Sequence, residues 1–310
     1  KLHAAADTMN IKWRSLVVNK LSFDGNFDGE KLTVEHLGAM ADKGSLAVTG
    51  TVGTDGSLAL NGRMAEFPVN PFLEFAGYAG RGLCSTGFTL GGTIDAPEFS
   101  GIIQLTDVNF MGQDLTEAHG FIGLKNNILQ LKDFQANMKQ GQHVVNGSID
   151  LRGAEAVFDL AIETAGVRAE PIVGLAYPDI HLTGNVDNII QVRGTMSDLH
   201  VDGEVLLTDG SVEGYLLDSV GGRYDYHGGQ LRLKDFVISA LSTKVTLDGV
   251  MDKDQNLDFR MDAQNVNLDR LPVMDKDVDL DGYINAKGYL RGTLQRPYFM
   301  GEVTSDSLSI

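Results

Sequence analysis

The chain has 310 residues, 43% of them hydrophobic, with 42 acidic against 25 basic side chains and a formal net charge of −17. That charge repels polyanions and excludes nucleic acid as an ordinary partner, and a single cysteine, Cys84, excludes an internal disulfide framework. No run of about 18 apolar residues occurs, so no transmembrane helix or signal peptide is expected within it and any membrane anchor is expected outside it.

Taken in chain order, the hydrophobic period is two almost everywhere. Turn pairs punctuate it from the start: Asp55-Gly56, Asn61-Gly62, Asp202-Gly203, Asp209-Gly210, Gly228-Gly229 and Asp281-Gly282 are read as hairpin or bulge signals. Asn70 to Gly77 carries an N-cap, a proline at the first helical position and a closing glycine, so one or two helical turns are predicted there. Cys84 falls in a Gly-rich stretch read as a bend. Alternating apolar positions then follow as Leu129 and Leu131; Val145, Ile149 and Leu151; Phe158, Leu160 and Ile162; and Leu182. They continue as Val205 and Leu207; Leu231 and Leu233; Val245, Leu247 and Met251; Leu257, Phe259 and Met261; and Val266 and Leu268. Their partners are mainly Asp, Lys, Thr, Gln and Asn, which predicts strands with one dry and one wet face. Gly147 and Gly249 fall on the dry face and suggest bulges or bends. Short helical connectors are also expected over Glu170–Ala176 and Leu268–Val273.

The chain repeats itself. Gly92-Thr93, Gly101, Leu105-Thr106-Asp107, Gly112, Leu131-Lys132-Asp133-Phe134 and Gly147 return about 100 residues later. There they are Gly194-Thr195, Gly203, Leu207-Thr208-Asp209, Gly214, Leu233-Lys234-Asp235-Phe236 and Gly249. A third copy opens with Gly292-Thr293 and Gly301, and an upstream one is marked by Val34 to Leu37 and Gly50. One continuous array is predicted: a partial repeat over 1–86, repeats over 87–178 and 179–276, and a partial repeat over 277–310, each with about eight short strands. The chain opens on Lys1 and both ends cut through a repeat, so it is expected to be an internal segment of something longer. An elongated, all-β, mostly antiparallel curved sheet follows from stacking such units. A two-sheet sandwich and a U-shaped sheet with an apolar groove satisfy the periodicity equally.

Chemistry-bearing motifs are weak. Asp277-Val-Asp279-Leu-Asp281-Gly282-Tyr-Ile284 matches the opening of a calcium loop, but Gly288 stands where a bidentate Glu is required. The repeat register makes it an ordinary strand with its carboxylates on the wet face. The 7 histidines are scattered singly, and His181 is read as a surface strand residue. No nucleophile elbow, phosphate loop or dinucleotide fingerprint occurs, so neither catalysis, metal nor cofactor is expected. What remains is the apolar stripe itself. Core packing accounts for part of it; a lining for acyl chains is the functional reading, because a trough needs no placed polar group to take a lipid tail.

The unit Gly-Thr-x3-Pro-x3-Gly at Gly92-Thr93, Pro97 and Gly101, and again at Gly292-Thr293, Pro297 and Gly301, resembles repeats of the AsmA-like superfamily, its TamB-type members in particular. So does Gly228-Gly229-Gln230-Leu231-Arg232-Leu233 leading to Val245 and Gly249. Leu199 replaces the proline in the middle copy. The resemblance implies a repeating β-groove (β-taco) that carries phospholipid acyl chains between the inner and outer membranes of diderm bacteria. It implies a periplasmic location, an inner-membrane anchor outside this chain, and a TamA-type outer-membrane barrel as partner, again through regions outside it. It carries no catalytic residues. A scaffold for outer-membrane proteins that pairs a sheet edge with client strands is the first alternative, and a packed solenoid or sandwich array of a surface protein the second.

Overall fold

The computed structural model describes residues 2–6, 11–75, 79–110, 113–170, 181–268 and 281–309. It is all-β, 81% strand and 3% helix. Two compact units divide the chain, Lys1–Ala161 and Ile162–Ile310.

The first unit contains β1 (Leu2–Ala6), β2 (Ile11–Trp13), β3 (Leu16–Phe27), β4 (Lys31–Ala41), β5 (Gly44–Gly53), β6 (Leu58–Pro68), helix α1 (Asn70–Phe75), β7 (Gly80–Gly92), β8 (Pro97–Phe110), β9 (Gln113–Lys125), β10 (Ile128–Met138) and β11 (Gln142–Asp150). The division falls within β12 (Val157–Arg168). The second unit continues through β13 (Leu182–Thr195), β14 (Leu199–Val212), β15 (Tyr215–His227), β16 (Gln230–Ala240), β17 (Thr243–Met251), β18 (Asn256–Asn267), β19 (Asp281–Thr293) and β20 (Arg296–Ser309). From β3 to β11, and again from β13 to β20, each strand pairs antiparallel with the next. β1 and β2 share one place, pairing with different stretches of β3. Within each unit the result is one open, curved sheet. At about 4.8 Å per strand, β3 to β11 extend roughly 40 Å across the strand direction.

The repeat motifs turn out to be backbone devices. Each Gly-Thr closes a hairpin: Gly92, Gly194 and Gly292 take positive φ (76°, 93° and 96°). The threonine hydroxyl then accepts the amide three residues on, that of Ala96, Asp198 or Arg296. These turns end β7, β13 and β19, so one repeat is six long strands, not the eight short ones expected from the sequence.

The Leu-Lys-Asp-Phe motif is a β-bulge. The register slips between Leu131 and Phe134 and between Leu233 and Phe236, and Asp133 and Asp235 sit at φ 47° and 51°. The displaced amide finds a partner on the next strand: Asp133 N–H donates to Asn146 Oδ1 and Asp235 N–H to Asp248 Oδ1, both at 2.7 Å. A second bulge recurs in β6 and β18, and Gly166 of β12, at φ 61°, matches Glu66 and Asn265 at 48° and 53°. There the amides of Glu66, Gly166 and Asn265 donate to Ser85 Oγ, Asp187 Oδ1 and Asn285 Oδ1. An unpaired amide inside a sheet costs about 1–3 kcal/mol, so each bulge is held by a dedicated acceptor. Bulges bend and twist a strand, and their recurrence curves the sheet at regular intervals.

Several expectations need correction. The extra residues of the bulges lie on the facing strands, opposite Asn146 and Asp248 and next to Gly147 and Gly249, not at those glycines. Those glycines, with Gly50, adopt φ of 133°, 156° and 132°. A Cβ there would fall on the carbonyl oxygen of Asp159, Asp258 or Ala59 on the neighbouring strand, so only glycine fits. Asn61-Gly62 and Asp202-Gly203 are not turns but lie inside β6 and β14, and Asp281-Gly282 opens β19. Gly62 gives room to the Phe88 ring opposite, which a Cβ would strike. Asp209-Gly210 does mark a bulge, inside β14 and not at a turn: the register slips between Thr208 and Ser211, opposite Gly184, with Asp209 at φ 51°, and β8 slips likewise at Asp107, φ 53°. Cys84 is in β7, not in a bend, and His181 precedes β13. Of the predicted connectors, Asn70–Phe75 is helical; most of Glu170–Ala176 and of Leu268–Val273 lies outside the described residues, as does Gly112.

Candidate functional site

Because side chains alternate, the register decides which residues share a face. In the second unit one row crosses the sheet as Val192, Val201, Tyr226, Leu231, Met251 and Leu257. The next runs Ile190, Gly203, Tyr224, Leu233, Gly249, Phe259, Leu290 and Phe299. Phe236, Leu247 and Met261 form a third, and Val186, Leu207, Val220, Ile238, Val245, Ala263, Ala286 and Val303 a fourth. In the first unit a row passes Val34, Gly50, Leu60, Leu90, Phe99, Leu124, Leu129 and Ile149. Beside it run Phe23, Leu37, Val48, Gly62, Phe88, Gly101, Ile122, Leu131 and Gly147. Phe88 and Phe99 stack at 5.7 Å across these rows. Each unit therefore carries apolar lanes that run across the strands.

The sequence-predicted lining residues lie on strands or at their ends, and the register places the paired ones on this face: Leu129, Leu131, Val145 and Ile149 in the first unit, and Val205, Leu207, Leu231, Leu233, Val245, Leu247, Met251, Leu257, Phe259, Met261 and Val266 in the second. Leu207, Leu257, Phe259 and Leu268 are buried, and Leu151, just past β11, is exposed; the others, with Phe158, Leu160, Ile162 and Leu182, are half-buried. A packed core buries its large side chains almost completely. Half-burial of most of the stripe marks a surface that its own neighbours only partly cover.

The opposite face is wet and charged. Lys125 pairs with Glu98 at 3.1 Å, Arg193 with Asp202 at 3.2 Å, Arg291 with Asp258 at 2.8 Å and Lys287 with Asp262 at 3.6 Å. Such exposed pairs each contribute under about 1 kcal/mol and serve solubility more than stability. His200 meets Asp225 at 2.7 Å and stands over His227, ring centroids 5.2 Å apart. Shallow hollows here, of 470 Å³ beside Asp262 and Lys287 and 310 Å³ beside Ile189 and Arg223, are spaces between long side chains. Among the described residues no three His, Cys, Asp or Glu side chains converge as metal ligands; Asp277 and Asp279 of the calcium-like motif lie outside them. Burial pushes the Cys84 thiol up to about 11, away from any nucleophilic role.

Two features escaped the sequence reading. The residue after each Gly-Thr is a large exposed hydrophobe: Ile94 at 64%, Met196 at 73% and Leu294 at 51%. The amides of Ile94 and Leu294 are tied to the Gly56 and Gln255 carbonyls of the adjacent hairpin. Aligning the three turns would have exposed the pattern. The second is a polar couple on the apolar face, Asn188 and Tyr224, joined by a hydroxyl-to-carboxamide bond of 3.2 Å. Its signal is Asn188 amid the alternation Val186, Ile190, Val192.

No protein-family model, no curated protein and no solved structure matches this chain.

Proposed function

We propose that this chain is a segment of a bridge-like lipid carrier of the AsmA-like, TamB-related kind, in which the apolar face shields phospholipid acyl chains in transit between two membranes. On this reading it works in the periplasm, is anchored to the inner membrane by a segment outside this chain, and meets a TamA-type barrel through regions outside it. The observation that carries the reading is the set of apolar lanes. In each unit they cross successive strands with half-buried Leu, Val, Ile, Met and Phe side chains, while the charges keep to the other face.

The mechanism is passive. An acyl tail of about 16 carbons in water costs on the order of 10 kcal/mol, and an apolar lane removes most of that cost at every point along it. Headgroups remain in water, and direction is imposed from elsewhere. Methionines such as Met251 and Met261 make the surface adaptable to different tails.

Native mass spectrometry with lipid extraction tests this. Purified protein should carry phospholipid, and the paired variant Leu131→Asp with Leu247→Asp should lose it while circular dichroism shows the strands retained. Protein that neither retains phospholipid nor takes up a fluorescent analogue would overturn the proposal.

A further inference from the structure

The polar couple on the apolar face of the second unit is out of place in a surface that only has to solvate hydrocarbon. Asn188 stands on β13 opposite Val205, and Tyr224 on β15 opposite Gly203 and Leu233. The Tyr224 hydroxyl reaches across β14 to donate to Asn188 Oδ1 at 3.2 Å. Gly203 lies beneath it: a Cβ there would stand 3.0 Å from the hydroxyl. Desolvation raises the Tyr224 pKa, so the phenol stays a protonated donor.

The bond uses the carboxamide oxygen and leaves the nitrogen. Among the described residues Asn188 Nδ2 has no hydrogen-bond partner. Asn188 is itself half-buried, between Val186 and Ile190 on the apolar face. Covering its Nδ2 with a methylene strands two donors, whereas a carbonyl oxygen laid there satisfies one. The corresponding place in the preceding repeat is built differently. Thr86 and Ile122 flank Gly101 there, and the Thr86 hydroxyl is already bonded to the Ile102 carbonyl at 2.8 Å. It offers no free donor.

Resting on the lipid reading above, we infer that Asn188 and Tyr224 form a hydrogen-bonding station for the ester carbonyl of an acyl lipid. A lipid moving along the lanes of this unit would pause with its ester here, its tails over the flanking rows. The pair turns a uniform lane into one with a register.

The test is competition in native mass spectrometry between a diester phosphatidylcholine and its diether analogue, matched in headgroup and chain length, offered in equal amounts. Wild-type protein should favour the diester roughly 3- to 10-fold, the worth of one net hydrogen bond. Asn188→Leu and Tyr224→Phe should bring the ratio to one without reducing total lipid, and Thr86→Val should leave the preference intact. Equal binding of the two lipids by the wild type overturns this inference and leaves the conduit standing; a preference that survives both variants overturns the assignment to this pair. Binding of neither lipid overturns the conduit and the station together.

Discussion

The repeat that begins at β7 and the one that begins at β13 share a skeleton and differ in what they lay on it. Both close on a Gly-Thr hairpin, both bulge at Lys-Asp, and in both a neighbouring side chain catches the displaced amide, Asn146 in one and Asp248 in the other. Both need a glycine where the strands approach most closely, Gly147 and Gly249. The apolar face is where they part. Cys84, Thr86, Ile122 and His143 of the first copy stand at the places of Val186, Asn188, Tyr224 and Val245 in the second. Backbone geometry is thus fixed by a few obligatory residues, and the lanes are free to vary among side chains of similar size. An array can be lengthened by copying the skeleton and tuned by editing the face.

The most severe way to break the shared skeleton is at the close approach. Gly249→Val should destabilise the second unit by about 3 kcal/mol or more, since both φ and the Asp258 carbonyl oppose a side chain; Gly147→Val should do the same in the first, both read from denaturant midpoints. Removing the bulge acceptors comes next. Asn146→Leu and Asp248→Leu each strand one amide and should cost about 1–2 kcal/mol, with faster hydrogen exchange at Asp133 and Asp235 respectively.

The face substitutions sharpen the difference between the copies. Burial lowers the His143 pKa below its ordinary 6.5, so the folded state resists a proton that the unfolded chain accepts. Stability should therefore decline as pH falls through about 6.5. His143→Val, which makes the first copy like the second, should flatten that part of the pH–stability curve. The smallest effect is expected at Cys84. With its thiol pKa raised to about 11, the folded protein should alkylate slowly at neutral pH. Cys84→Val should change stability by less than about 1.5 kcal/mol, as a near volume-conserving exchange.

Much of this fold was legible in the sequence because period-two alternation states which side of a strand is dry. Leu231 and Leu233, Val245 and Leu247, and Leu257 and Phe259 reveal both strand and face without reference to neighbours. Asn61-Gly62 and Asp202-Gly203 misled because a glycine that opens a turn and a glycine that makes room for an aromatic ring across a strand pair look alike in one dimension. The bulge suggested by Gly147 was real but lay on the facing strand, since a bulge belongs to a pair of strands and a sequence presents them one at a time.

By itself the sequence determined the class, the wet and dry faces and the recurrence of one unit, because these depend on local alternation and on identity at a fixed spacing. Only the tertiary structure decided that six long strands make a repeat and that Lys-Asp is a bulge closed by a particular acceptor. It alone brought Asn188 and Tyr224, on different strands, to one point over Gly203. Those facts depend on register, which hydrogen bonds between distant segments set and no single strand contains.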